Sequence, residues 1–285
     1  MRPQITLRRL AEMKAAREPI VMVTAYDYPT ARTAEQAEVD MVLVGDSGAQ
    51  VVLGYDSTVA VTVDEMLVLA AAVRRGVRSA FVVCDLPFGS TEVSDDQAVH
   101  TAVRFVKEAG ADAIKLEGGG PSRLSRIRAV VASGIPVVAH IGLTPQTATA
   151  LGGMRAQGRT AESAERLVRE ALAVQEAGAS VLVIEAVPGE VAGVVLPELR
   201  IPVIGIGAGR ADGQVLVMHD VLGITEGKAP AFVKRYAEVG DAMVGGVAAY
   251  AAEVRSGVFP GAEHGYPATP EAVEAARAAL AQRSV

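Results

Sequence analysis

Tryptophan is absent from this chain of 285 residues, aromatic side chains make up only 4 % of it, and there is a single cysteine, Cys84. One thiol closes no internal disulfide, so nothing in the sequence marks an oxidising compartment. Basic residues are also outnumbered, with 27 Lys and Arg against 33 Asp and Glu, a formal charge of −6 and a pI near 5.4. No lysine and arginine stripe with interleaved aromatics is present, which argues against nucleic acid and for a small-molecule partner. Long apolar runs are missing as well. The longest, near residues 67–73, falls far short of the roughly 18 residues of a membrane span, and MRPQITLRRL has no signal-peptide apolar core. No membrane partner and a cytoplasmic location are therefore expected. No Pro/Ser-rich linker or charge block divides residues 1–285, which predicts a single domain.

What the chain has is eight short apolar runs: IVMVTAYD (20–27), VDMVLVGDS (39–47), SAFVVCDLPFG (79–89), ADAIKLEGG (111–119), IPVVAHIGLT (135–144), ASVLVIEAVP (179–188), IPVIGIGAG (201–209) and GQVLVMHD (213–220). Each is rich in Val, Ile and Leu without polar alternation, as expected of strands buried on both faces of a parallel sheet. Helix signals separate most of them. Thr62 and Glu65 form one capping box and Ser94 and Gln97 another, while Gly110 and Gly178 sit where a terminal helix glycine belongs. The pattern predicts a (β/α)8 TIM barrel, an α/β fold whose reaction sites lie at the C-terminal strand ends. Residues 5–16 predict an amphipathic helix plugging the barrel floor, residues from about 229 to 256 predict outer helices, and a helical tail is expected from about Pro270.

Polar residues end the runs. Asp46, Asp85 and Glu117 fall on the tips of strands two, three and four, and three carboxylates at one mouth repel one another unless a cation neutralises them. Mg²⁺ is the economical choice, since it takes hard oxygen ligands and leaves room for the two oxygens of a 2-oxo acid. Zinc is disfavoured by the lack of a Cys/His cluster. Lys115 shares a strand face with Glu117 and is expected to pair with it or with a substrate carboxylate. Glu185 follows the apolar VLVI, where desolvation favours a general base. Two echoed segments, KEAGADAIKLE and QEAGASVLVIE, put Glu117 and Glu185 at equivalent positions on strands separated by one other.

Other features are ambiguous. His140 ends strand five and is either a substrate contact, a proton shuttle or a satisfied histidine beneath the site. His219 and Asp220 end strand eight, and His100 lies mid-helix. Cys84 alternates with Asp85 and so faces the helix layer as an inert thiol. GIGAG (205–209) lacks the third glycine of a dinucleotide fingerprint, its glycines serving a close backbone approach at the rim. The loop GGMRAQGR (152–159) offers Arg155 and Arg159 to an anion or is simply a solvated loop.

TAYDYPTA, VGDS followed by GYDST, DLPFG, KLEGG, HIGLTPQ and GIGAGRADGQVLVMHDVLG, in that order, resemble the ketopantoate hydroxymethyltransferase family from about Ile5 to Tyr266. The resemblance implies transfer of a one-carbon unit from 5,10-methylenetetrahydrofolate to 3-methyl-2-oxobutanoate, giving 2-dehydropantoate for pantothenate synthesis. It further implies Mg²⁺ held by Asp46 and Asp85 with Glu117 in the metal shell, directly or through water. Asp46, Ser47, Asp85 and Lys115 would hold the oxo acid, Glu185 would accept the proton, and His140 would be an accessory. A homo-oligomer, often a decamer, is implied too. The chain departs from the family pattern after Ser47 (GAQ), after DLPFG (STE) and in its tail, which bears on folate contacts and assembly. Two rivals are a carbon–carbon lyase of the isocitrate lyase and phosphoenolpyruvate mutase type, which calls for a cysteine in a mobile loop, and a non-catalytic barrel that senses an oxo acid.

Overall fold

The computed structural model describes residues 2–227 and 229–282. Its centre is a closed, wholly parallel barrel in strand order β1 to β8: Ile20–Thr24, Met41–Val44, Phe81–Asp85, Ala113–Glu117, Val137–Gly142, Val181–Glu185, Val203–Ile206 and Gly213–Leu216. Helices in chain order are α1 Leu7–Ala15, α2 Tyr28–Gln36, α3 Gly48–Val51, α4 Val63–Gly76, α5 Asp95–Ala109, α6 Pro121–Ala132, α7 Ala161–Glu176, α8 Gly189–Val195, α9 Met218–Val221, α10 Val239–Ser256 and α11 Pro270–Ala281. Residues 1–237 form one compact unit, containing the barrel, and 238–285 a second.

Strand alternation sorts the core into two clusters. Met41, Leu43, Val83, Val138, Val183 and Ile204 fill the barrel interior, whereas Val42, Val82, Cys84, Ile114, Leu116 and Ile184 face the helices. On β3 and β4 the inward positions continue to Asp85, Lys115 and Glu117, so the same period that buries valine at mid-strand delivers charge at the mouth. Ile5, Leu10 and Met13, from α1 and the residues before it, join the interior cluster and close the floor.

The expected caps form. Thr62 and Glu65 make a reciprocal box at α4, Ser94 accepts the Gln97 N–H at α5, and Gly110 ends α5 in the left-handed region. At the floor, Glu35 on α2 accepts the backbone N–H groups of Arg78 and Ser79 at 3.0–3.1 Å and the Ser79 hydroxyl at 2.7 Å, stitching α2 to the start of β3.

Two expectations need correction. His219 and Asp220 are not on strand eight: β8 stops at Leu216, the Thr24 hydroxyl at the end of β1 accepts the Met218 N–H at 2.9 Å, and the chain then coils into α9. Residues 229–238 are irregular, with a turn closed by Val233 N–H to Pro230 carbonyl at 2.9 Å, and helix resumes only at Val239. Between β7 and β8, as the closely spaced runs imply, there is no helix, and Gly207 and Gly209 take positive φ in the short crossover. In the second unit, Gly257 ends α10 in the left-handed region and Thr269 caps α11.

Candidate active site

Six polar side chains from the tips of five strands converge on one cavity of about 200 Å³ at the C-terminal mouth. Asp46 follows β2, Asp85 ends β3, Lys115 and Glu117 lie on β4, His140 on β5 and Glu185 at the end of β6. All but Glu185 are buried, and Glu185 is half-buried.

The carboxylates are held oxygen by oxygen. Asp85 Oδ2 accepts the Asp46 N–H at 3.0 Å, while its Oδ1 has no hydrogen bond of normal geometry and only the Lys115 ammonium beside it at 3.1 Å. Asp46 Oδ2 accepts from Gln146 Nε2 at 2.9 Å, and Glu117 Oε2 accepts the Gln146 N–H at 3.0 Å. Lys115 Nζ stands 3.6 Å from Glu117 Oε1 and 3.1 Å from His140 Nδ1. The His140 ring spans the two glutamates, Nδ1 lying 3.3 Å from Glu117 and Nε2 3.2 Å from Glu185. Across the ladders Glu117 pairs with His140 and Glu185 with Gly142, an offset of two residues over two strands. That is the stagger of a tilted barrel, whose shear matches its strand number, so the two carboxylates reach one level, as the echoed segments imply.

Charge is unevenly satisfied. Burial, then Asp85 and Glu117, hold the Asp46 carboxyl well above the usual carboxylate range. Burial raises Asp85 too, although Lys115 works against it. Burial also pushes Glu117 up, but Lys115 and His140 outweigh it and leave Glu117 below its usual value. Lys115 stays an ammonium despite its burial because Asp85, Glu117 and Asp46 surround it. Burial and Lys115 oppose a charge on His140, and Glu117 and Glu185 nevertheless hold it up to about 9. Lys115 and His140 together do not balance four acids, Asp46, Asp85, Glu117 and Glu185, and Asp85 Oδ1 has lone pairs to spare, so the donor set fits a hard divalent cation at Asp46 and Asp85. Among the described residues, no three His, Cys, Asp or Glu side chains are grouped to hold an ion. An ion here must therefore complete its shell with water and substrate oxygens, the habit of Mg²⁺.

Ser47 lines the cavity with its hydroxyl 2.8 Å from that of Tyr26, a fully buried phenol whose pKa burial drives above its usual value. Cys84 is buried on the helix side, where desolvation suppresses its thiolate. His100 is exposed on α5, and of the 152–159 loop Met154, not Arg155 or Arg159, reaches the cavity.

The profile of the ketopantoate hydroxymethyltransferase family matches residues 4–262. The chain belongs to this family. A 3-methyl-2-oxobutanoate hydroxymethyltransferase of Rhodococcus jostii is 54 % identical over 259 residues, covering 90 % of this chain and 89 % of the relative. The Alkaliphilus metalliredigens enzyme of the same name is 51 % identical, covering 90 % and 91 %. Solved structures with the same fold include a phosphonopyruvate hydrolase in complex with oxalate and Mg²⁺ (TM-score 0.60, 14 % identity, 98 % and 97 % covered) and a phosphoenolpyruvate phosphomutase of Streptomyces platensis subsp. rosaceus (TM-score 0.57, 19 % identity, 90 % and 92 % covered). Family membership makes the chain a hydroxymethyltransferase, a transferase enzyme.

Two residues at the site carry no signal in the sequence. Gln146 belongs to the HIGLTPQ segment but reveals its role only when a 3-10 turn after Pro145 swings it over Asp46, where it also donates to the Leu86 carbonyl. Phe232 lies in the irregular stretch after β8 and reaches the cavity only through that turn.

Proposed function

We propose that the chain transfers a one-carbon unit from 5,10-methylenetetrahydrofolate to C3 of 3-methyl-2-oxobutanoate, yielding 2-dehydropantoate in pantothenate synthesis. The observation that carries this reading is the division of one cavity into an electrophilic side, Asp46, Asp85 and Lys115, and a basic side, Glu185, joined by His140. Asp46 and Asp85 would hold Mg²⁺, with Glu117 reaching it through water because Lys115, His140 and Gln146 already engage its oxygens. When bound, the ion supplies Lewis-acid polarisation of the 2-oxo group, worth several kcal/mol of developing charge.

The chain's own residues do the rest. Lys115 and the Ser47 hydroxyl bind the oxo acid's oxygens, and the apolar floor of Leu43, Val183 and Ile206 receives its branched carbon end. Glu185 then takes the C3 proton, a step to which a positioned base contributes roughly 10²- to 10⁴-fold. The C3 carbon attacks the donor's one-carbon unit, water supplies the hydroxyl oxygen, and tetrahydrofolate leaves. Deuterium exchange at C3, followed by NMR with and without Mg²⁺ and then with the donor added, tests the sequence of events. Metal-dependent exchange and then dehydropantoate are expected; folded protein that gives neither removes this function.

We also infer a homo-oligomer. Met243, Val247, Tyr250 and Val254 recur on one face of α10 and are all exposed, an apolar stripe suited to burial against another copy.

A further inference from the structure

The cavity changes character from floor to rim. Its buried lining carries Asp46, Asp85, Lys115, Glu117 and His140, whereas the exposed or part-exposed Met154, Pro230, Phe232 and Val233 line its outer part, with Asp220 and Gln50 as polar neighbours. Among the described residues lining it, Phe232 is the only Phe, Tyr or Trp, in a chain with five phenylalanines and no tryptophan. The ring remains 39 % exposed.

Its position is built rather than incidental. The turn from Pro230 to Val233 presents it, and the Tyr236 N–H donates to the Val221 carbonyl at 2.8 Å, tying the same segment to α9. Behind the ring lies Gly207, where an added Cβ would stand 2.6–3.2 Å from three ring carbons. Only glycine lets the ring seat there, and Gly207 also takes φ +60°, a conformation that residues with a Cβ rarely adopt. Gly207 directly follows Ile206, the ladder partner of Glu185, so the seated ring stands at the strand tip next to the candidate base.

We propose that Phe232, seated on Gly207, is the platform on which the flat aminopyrimidinone ring of the one-carbon donor stacks, with the Asp220 carboxylate accepting from that ring's N–H edge. This assignment rests on the preceding reading of the donor as a reduced folate. A flat, polar-edged heterocycle needs an apolar face and an acceptor at its rim, and the outer part of the cavity supplies both. Seated there, the donor covers the oxo acid and turns its one-carbon unit toward the inner half, where Glu185 works.

Steady-state kinetics of the full chain with Mg²⁺ separate the possibilities, using Phe232→Ala, Phe232→Tyr and Asp220→Asn. Phe232→Ala should raise the donor KM about ten-fold, the equivalent of about 1.4 kcal/mol, and Asp220→Asn should raise it as well. Phe232→Tyr should stay close to the parent, and donor-free C3 exchange and the oxo-acid KM should be unchanged in all three. Retained exchange also shows that the variants fold. An unchanged donor KM in Phe232→Ala, or an equal loss in oxo-acid KM and exchange, overturns the platform. A parent chain that makes no product with this donor overturns the reading of the donor itself, and the platform with it.

Discussion

Gln146 Nε2 donates to Asp46 Oδ2 at 2.9 Å while the backbone N–H of the same residue donates to Glu117 Oε2 at 3.0 Å, so one glutamine orients two acids that lie on different strands. Its second amide hydrogen goes to the Leu86 carbonyl. Replacing it by leucine leaves buried acceptors without partners, at about 1–3 kcal/mol. Gln146→Leu should accordingly weaken Mg²⁺ binding about ten-fold or more by titration calorimetry. Affinity equal to the parent's would show that Asp46 needs no such restraint.

Glu185→Gln keeps the side chain's shape and a hydrogen-bonding oxygen for His140 but removes the base. We expect Mg²⁺ and oxo acid to bind with near-parental affinity while C3 exchange falls by roughly 10²- to 10⁴-fold. Full exchange in this variant would take the proton-accepting role away from Glu185.

Asp85→Asn alters both faces of its carboxylate, the Oδ1 beside Lys115 and the Oδ2 under the Asp46 N–H. It should weaken both metal and oxo-acid binding, and it leaves a buried ammonium short of one partner, a change that typically costs about 3–5 kcal/mol. A lowered melting temperature with unchanged affinities would make Asp85 structural only.

Glu35 gives the pH dependence of the floor. Burial works against its charge, yet the Ser79 hydroxyl and the N–H groups of Arg78, Ser79 and Ala80 bring its pKa below the ordinary value. A depressed folded-state value stabilises the fold above the ordinary pKa of about 4.3, and the stabilisation disappears as pH falls through the lower one. Being largely solvated, it should contribute only about 1 kcal/mol. In urea melts Glu35→Gln should be less stable than the parent by that amount at pH 7, and the gap should close toward pH 3. A gap independent of pH would mean that the hydrogen bonds, not the charge, matter.

Much of the barrel could be read from the chain because buried parallel strands write themselves as unbroken Val, Ile and Leu runs. Asp85, Lys115 and Glu117 were legible for the same reason, lying on the inward period where such runs end, whereas Asp46 was legible only as the first acid after its run, two residues past the end of β2. The misplacement of His219 and Asp220 has a plain cause: the apolar VLVM runs straight into them with no breaker, and the stop comes from the Thr24 hydroxyl, a partner 194 residues from Met218. Residues 229–238 misled in a similar way, since Phe232 answers to Gly207, just past the end of β7, rather than to its neighbours in sequence. Gln146 was invisible because hydrogen bonds to Asp46 and Leu86 join positions 100 and 60 residues apart.

Ile5, Leu10 and Met13 fill the barrel from below, and the consequence is one of traffic. A vessel sealed at its base has a single door, so whatever lies deepest must arrive before, and depart after, whatever sits at the threshold. On the proposed reading the small oxo acid lies against the strand-tip carboxylates and the bulky folate rests at Phe232. The order of addition is then dictated by the architecture: the acid enters first, the donor shuts it in, and the spent carrier has to vacate the doorway before the lengthened acid can escape.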